Sequence, residues 1–225
     1  MISTIIFDMD GVIIDSEPVH YEIETSVMSE LGISISEKEY HAFVGRTAKS
    51  MWSELIERFN LEITIEEVIQ KSKDQYHYRL YHTDQPHYIP GTVALIKGLH
   101  AMGKKLILAS SSTLENIRIV MDKHQLTYFF DEIVGGDEVT NGKPDPEIFV
   151  LAAKRARTLP SQCLVIEDSR NGVAAAKAAG MCCIGFNNPS SPGQLLYDAD
   201  IVVTDMANLT AQNIFDQLDK SKSSS

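Results

Sequence analysis

Asp8 and Asp10 stand two residues apart, directly after a short apolar run, Thr4-Ile5-Ile6-Phe7. A second run, Lys105–Ala109, ends at three hydroxyls, Ser110, Ser111 and Ser112. A third, Cys163–Ile166, ends at the adjacent acids Glu167 and Asp168 and then Ser169. A fourth, Glu132–Val134, leads through a loop to Gly142-Lys143-Pro144-Asp145-Pro146. Directly at the strand ends stand four carboxylates, Asp8, Asp10, Glu167 and Asp168, with several hydroxyls, and the loop adds one lysine. Four clustered carboxylates cannot all ionise without a compensating cation. Ligands that are all oxygen favour a hard ion such as Mg²⁺, which keeps some water and also binds phosphate. A lysine and a hydroxyl beside it neutralise and hold phosphate oxygens. One aspartate can act as a nucleophile and form an aspartyl-phosphate. A second acid two residues along can serve as general acid and then as general base. Singly, an aspartate after a strand often does no more than cap the next helix, but four such endings together describe a hard-metal phosphate site.

That chemistry needs elements that bring the endings to one place. The apolar runs, with Cys182–Gly185 and Ile201–Val203, are short and rich in β-branched residues, as expected of buried parallel strands. Helical patterns separate most of them: Thr92–Met102, Thr113–His124, Pro146–Arg157 and Asn171–Ala179, the last closed by Gly180. Strands alternating with helices predict an α/β fold, a doubly wound Rossmann-like parallel sheet. In such a sheet ligands bind beyond the carboxyl ends of the strands. The stretch from Ser16 to Thr83 breaks the rhythm with four helical patterns and no strand. The first opens at Ser16-Glu17-Pro18, a serine cap followed by proline, and carries Ile23, Val27 and Leu31 up to Gly32. The second begins after Ser36, where Glu39 completes a capping box. The third opens at Thr47 and the fourth at Thr64, running to about Tyr81. The expected division is therefore an α/β core of residues 1–14 and 84–225, a helical-bundle domain inserted at 15–83, and a frayed tail at 221–225.

Composition narrows the classes. The 225 residues carry 20 lysines and arginines against 31 aspartates and glutamates, a formal charge of −11. That balance argues against a nucleic-acid groove and against docking on an anionic membrane. No run approaches the ~20 apolar residues of a membrane span, and the first ten residues lack the basic flank of a signal peptide. Cys163, Cys182 and Cys183 are few and odd in number, which reads as reduced thiols in a cytoplasmic protein. A monomer is expected.

The order of these motifs resembles the haloacid-dehalogenase superfamily, and in particular its phosphatase and phosphomutase branch. Asp8-Met9-Asp10-Gly11, Ser110, Lys143 and the pair Glu167-Asp168 fill that branch's four signature positions in order, and the helical insert falls where the family places its cap. The resemblance implies that Asp8 is the nucleophile and a metal ligand. It implies that the Asp10 side chain is the general acid and base while its backbone carbonyl reaches the metal. Ser110 would hydrogen-bond the phosphoryl group, with Ser111 beside it in the phosphate site and Ser112 a further candidate. Lys143 would neutralise the phosphoryl charge, and Asp168 with Glu167 would complete a Mg²⁺ site.

Within the family the chain is most similar to β-phosphoglucomutase and related sugar-phosphate phosphatases. The cap is then expected to close over the core and choose the substrate, with His20, Arg46, Lys49 and Lys73 as candidate contacts. Trp52 is expected in the cap core, and Tyr76, Tyr78 and Tyr81 in helix packing. The mutase carries an arginine three residues beyond its cap-loop glycine, whereas here Gly45 is followed at that spacing by Ala48. Asp15-Ser16-Glu17-Pro18 likewise resembles the phosphatases more than the mutase. The implied activity is Mg²⁺-dependent hydrolysis of a small phosphate monoester, most plausibly a hexose phosphate. A phosphomutase is the alternative, and a non-catalytic phosphometabolite-binding module a third possibility.

Overall fold

A computed structural model describes residues 2–41, 43, 48–82 and 88–223. In chain order the elements are β1 (Thr4–Phe7), α1 (Glu17–Glu30), α2 (Glu37–His41), α3 (Ala48–Phe59), α4 (Ile65–His82), α5 (Thr92–Ala101), β2 (Lys105–Ala109), α6 (Leu114–Lys123), β3 (Glu132–Val134), α7 (Glu147–Arg155), β4 (Cys163–Glu167), α8 (Arg170–Ala178), β5 (Cys182–Phe186), β6 (Ile201–Val203) and α9 (Ile214–Ser223). The expected doubly wound α/β core is present: the six strands pair in parallel in the order β3-β2-β1-β4-β5-β6.

Alternation along each strand builds two apolar layers. Ile5, Phe7, Leu106, Leu108, Leu164 and Ile166 face one way and pack with Leu95 of α5, Ile117 of α6 and Ile214 of α9. Ile6, Ile107 and Val165 face the other way, against Phe149 of α7 and Val173 of α8. All four residues of β1 are buried, as befits the strand at the centre of the sheet. The terminal helix α9 had no counterpart in the sequence patterns. It carries the chain to Ser223, so three residues of the expected frayed tail continue a helix.

The insert has an apolar core of its own, built from Ile23, Val27, Trp52, Leu55 and Val68 among others, with Trp52 fully buried as expected. Two of its helices open on capping boxes. Ser36 Oγ accepts the Glu39 N–H (3.3 Å) while Glu39 Oε2 accepts the Ser36 N–H (2.9 Å), and Thr64 with Glu67 repeats the pattern at 3.2 and 2.9 Å. Ser16 departs from expectation. It precedes α1 in a helical conformation (φ −86°, ψ −12°), and its hydroxyl makes no capping bond, because a capping side chain needs an extended backbone there. The expected third helix starts at Ala48, and Thr47 lies outside the described residues. The insert joins the core through a narrow neck, where Ile14 bridges antiparallel to Tyr88 and the Ile89 N–H donates to the Ile13 carbonyl (3.1 Å). The expected boundary at 83/84 falls outside the described residues. No helix among the described residues is long and apolar enough to cross a membrane.

One carboxylate is built into the insert's core. Glu24 of α1 is 9% exposed and accepts a hydrogen bond from Ser72 of α4 (3.2 Å). Burial raises its proton affinity. The Ser72 hydroxyl opposes this, as does the Trp52 indole N–H, which lies near but outside hydrogen-bond geometry. The folded chain therefore holds this proton to higher pH than the unfolded chain, so the contribution of Glu24 to stability falls as pH rises above the ordinary glutamate range near 4.5. Glu24→Gln removes that loss. Thermal midpoints measured from pH 4 to pH 8 are expected to show the variant gaining on the wild type as pH rises, and a difference independent of pH would contradict the assignment.

Candidate active site

Register brings the chemical residues together. Phe7 pairs with Leu108 on one side and with Ile166 on the other, so Asp8, Ser110 and Glu167 emerge at one edge of three adjacent strands. The chain runs from β1 outward through β2 to β3 and then returns across β1 to β4. That reversal, between β1 and β4, is where a doubly wound sheet opens a crevice. After β1 the backbone folds into a tight turn in which the Ile13 and Ile14 N–H groups both donate to the Met9 carbonyl (2.8 and 3.1 Å). Gly11 sits in this turn at φ +79°, and a Cβ there would lie 2.1 Å from Asp168 Oδ2. Only glycine satisfies both the left-handed backbone and the close approach of Asp168. Asn188, in the loop after β5, donates from Nδ2 to the Gly11 carbonyl (3.1 Å) and is almost wholly buried. Ser190 donates to Asp15 at the neck (2.6 Å).

Lys143 ties the site together. Its ammonium donates to Asp8 Oδ1 (2.7 Å) and to Glu167 Oε2 (2.6 Å), and all three side chains are buried. The other oxygen of Glu167 accepts from the N–H groups of Asp168 (3.1 Å) and Ser169 (3.0 Å) and from the Ser169 hydroxyl (2.9 Å). Ser169 Oγ in turn caps α8 by accepting the Gly172 N–H (3.0 Å). A Cβ on Gly172 would fall 1.9 Å from Glu167, so this glycine makes room for the carboxylate. Glu167 thus anchors both the lysine and the start of a helix.

Asp8, Glu167 and Asp168 each present an oxygen, and these lie within 4.8 Å of one another. Burial pushes the Asp8 carboxyl up to about 8; Glu167 and Asp10 add to the rise and Lys143 opposes it. Burial, with Glu167 and Asp8 nearby, also holds Asp168 well above the usual carboxylate range. Burial disfavours the charged form of Lys143, but Asp8 and Glu167 more than offset this and raise it above its ordinary value. Three buried carboxylates lie together here, and the single ammonium among them is bonded to Asp8 and Glu167 only. A divalent ion with hard oxygen ligands fits this donor set.

Asp10 stands apart from that cluster. Its Oδ2 accepts from Ser112 Oγ (2.9 Å) and Ser110 Oγ (3.4 Å), while its Oδ1 is buried with no hydrogen-bond partner among the described residues. Ser112, a candidate phosphate contact, is therefore spent on Asp10, whereas Ser110 and Ser111 line the cavity.

The cavity measures about 660 Å³, and its floor is formed by Asp8, Asp10, Ser110, Lys143, Glu167 and Asp168. From the insert, Ser16 and His20 reach it. The His20 ring stacks on Tyr76 of α4, with centroids 4.9 Å apart and planes 3° from parallel. Burial lowers the proton affinity of His20 and raises that of Tyr76; Asp10 raises both. Tyr76 packs against the insert's apolar core, as expected, and in doing so also supports a residue of the cavity wall. Lys73 and Lys49 were expected to face the substrate, but both are exposed and outside the cavity. Val68, Ser72 and Tyr76 are the inward row of α4 at four-residue spacing, and Lys73 lies one residue, about 100°, off that row. On α3, Met51, Trp52 and Leu55 face inward, which turns Lys49 out. Arg46 lies outside the described residues. Arg170, Asn171, Ser191 and Gln194 also line the cavity and were not anticipated. Arg170 and Asn171 directly follow Asp168-Ser169, so the rule that found the acids also pointed to them.

Comparison with known proteins agrees with this architecture. The sequence profile of the haloacid dehalogenase-like hydrolases matches residues 5–186. The phosphorylated carbohydrates phosphatase of Thermotoga maritima is 31% identical over 202 residues, covering 88% of this chain and 91% of that protein. The bifunctional riboflavin kinase/FMN phosphatase of Arabidopsis thaliana is 34% identical over 210 residues; the match covers 92% of this chain but only 54% of that longer relative. The crystal structure of β-phosphoglucomutase from Clostridium difficile superposes with a TM-score of 0.78 at 27% identity, covering 99% of this chain and all of that one.

The Lys143 bridge generates a direct test. Lys143→Met leaves Asp8 and Glu167 buried without their cation, and breaking such a pair costs about 3 kcal/mol or more. Urea denaturation without added metal is expected to show a loss of that size, and adding Glu167→Gln to the variant should restore part of it. A loss below about 1 kcal/mol would show that the bridge does not hold the strand ends together.

Proposed function

This chain belongs to the haloacid dehalogenase-like hydrolases, and from that premise we propose that it is a Mg²⁺-dependent phosphatase of small phosphate monoesters, sugar phosphates among them, acting through an aspartyl-phosphate. The observation that carries the proposal is the placement of Asp8: a carboxylate on the central strand, held by Lys143 at the floor of a cavity whose walls supply Asp10, Ser110 and Ser111. Kinship with the Thermotoga carbohydrate phosphatase supports the substrate class.

In this reading Lys143 and the serine hydroxyl of Ser110, with Ser111 beside it, receive the phosphoryl oxygens. Asp8 attacks phosphorus in line, and the bond to the leaving oxygen breaks. Asp10 gives its proton to the departing alkoxide, so the alcohol leaves neutral. The Asp10 carboxylate then takes a proton from a water that attacks the aspartyl-phosphate, releasing inorganic phosphate and restoring Asp8. Ser112 keeps Asp10 on the same side of the cavity through both steps. Asp8 and Asp168, with Glu167, would hold Mg²⁺, with the Asp10 backbone carbonyl as a further ligand; bound there the ion screens the carboxylates from the phosphate and polarises its oxygens. Residues 15–83 act as the cap that excludes bulk water, with His20, kept in place by Tyr76, as its contact to the reacting group. We place the enzyme in the cytoplasm as a monomer. Ala48, exposed where the mutase carries arginine, favours water over a second sugar as the final acceptor.

Asp8→Asn is expected to abolish turnover, by about 10³-fold or more, with an unchanged circular-dichroism spectrum; near-normal rates would refute the nucleophile. With β-glucose 1-phosphate and catalytic glucose 1,6-bisphosphate, the expected product is free phosphate, and it should stop in chelator and resume when Mg²⁺ is restored. Rapid formation of glucose 6-phosphate would mean a phosphomutase, and turnover that ignores chelator would remove the metal from the reaction.

A further inference from the structure

The cavity floor is acidic. Its three buried carboxylates face a single ammonium, which Asp8 and Glu167 already share. The lining just beyond Asp168-Ser169 has the reverse character. Arg170 begins α8, its side chain is exposed at the cavity, and its guanidinium meets no carboxylate among the described residues. The Arg170 backbone N–H donates to Gln194 Oε1 (3.2 Å). That bond occupies the acceptor of the Gln194 amide and leaves its Nε2 without an acceptor among the described residues, as is the side-chain amide nitrogen of Asn171. Donors thus gather on one wall, while the acidic groups lining the cavity belong to its floor. Lys143 and Arg170 are the two lysine or arginine side chains among the described residues that line the cavity, and Arg170 is the one whose charge is not already used.

We propose that Arg170, with Gln194 and Asn171, forms a second oxyanion subsite, so that the preferred substrate is a phosphate monoester carrying a further anionic group, a carboxylate or a second phosphate. The inference rests on the phosphatase reading and narrows its substrate class. A guanidinium is charged at every accessible pH, donates without accepting, and pairs with carboxylate or phosphate through two parallel hydrogen bonds. With the reacting phosphate held at Lys143 and the second anion held at Arg170, the ester is fixed at two points in the cavity. The leaving oxygen is then oriented rather than merely near.

The test uses matched substrate pairs in Mg²⁺ buffer: 2-phosphoglycolate against 2-hydroxyethyl phosphate for a carboxylate, and glucose 1,6-bisphosphate against glucose 1-phosphate for a phosphate. p-Nitrophenyl phosphate is the general control. The wild type is expected to prefer the member with the second anion by tenfold or more in kcat/KM in at least one pair. The pair that shows it identifies the anion. Arg170→Gln should collapse that ratio to within about twofold, mainly through KM, and Arg170→Lys should keep part of it. Turnover of the control with no preference in either pair, or a preference that survives Arg170→Gln, would overturn the subsite alone. Absence of turnover on all five esters would overturn the phosphatase reading and the subsite with it.

Discussion

A buried ammonium lies between two carboxylates carried by neighbouring strands, and the site is organised around it. Phe7 pairs with Ile166, so the next residues, Asp8 and Glu167, leave the sheet side by side with acidic groups exposed to each other's field. In a low-dielectric interior that arrangement is unfavourable unless a cation stands between them. Lys143 does so from a separate loop, at 2.7 and 2.6 Å, with its charge also set 5.0 Å over the Phe149 ring of α7. The consequence reaches beyond the pair. Since Lys143 and the backbone amides use both oxygens of Glu167, the carboxylate is fixed in place and fixes the start of α8. Since Lys143 takes one oxygen of Asp8, the orientation of that carboxylate is set within the protein.

The insert depends on that core without sharing its packing. Its apolar cluster is separate, and it meets the core at the neck of Ile14 and Tyr88 and where α4 lies beside α6. What couples it to the chemistry is polar. Ser190 donates to Asp15 at the neck, Asn188 holds the carbonyl of Gly11 beside Asp10, and both side chains come from the loop that also carries Gln194. One loop of the core therefore touches the turn of the first motif, the neck of the insert and the far wall of the cavity.

Much of the site was legible in the amino-acid sequence, for a simple reason. Parallel strands buried on both faces read as unbroken apolar runs, so the first polar residue after each run marks the edge where ligands bind. Asp8, Ser110, Glu167 and Asp168 follow from that alone. Lys143 follows less directly, because it lies in a loop rather than at a strand end. The insert was harder. Its helices are short or weakly patterned, and a cation on them faces substrate or solvent according to a rotation of 100° per residue. Lys73 looked equivalent to its neighbours until Ser72 and Tyr76 fixed which row of α4 turns inward. Ser16 looked like a cap because serine before Glu-Pro usually is one, but its helical backbone frees the hydroxyl to face the cavity. Ser112 was indistinguishable from Ser110 by type and differs only in where the turn aims it. α9 escaped notice because its sequence, Ile214–Ser223, is short and polar, and Leu218 and Ile214 are buried only by contact with the sheet's helical layer.

The charge of the chain takes its meaning from this arrangement. A protein of net charge −11 repels polyanions as a whole, and the cavity floor concentrates that acidity where a phosphate must come. Burial first, and the neighbouring carboxylates after it, raise the proton affinities of Asp8 and Asp168. In the proposed reading such a floor binds a dianion only once a divalent cation joins the cluster, whereas a guanidinium needs no partner to stay charged. The floor would then hold the group that reacts, common to all phosphate esters, and the residues at the start of α8 would distinguish one ester from another.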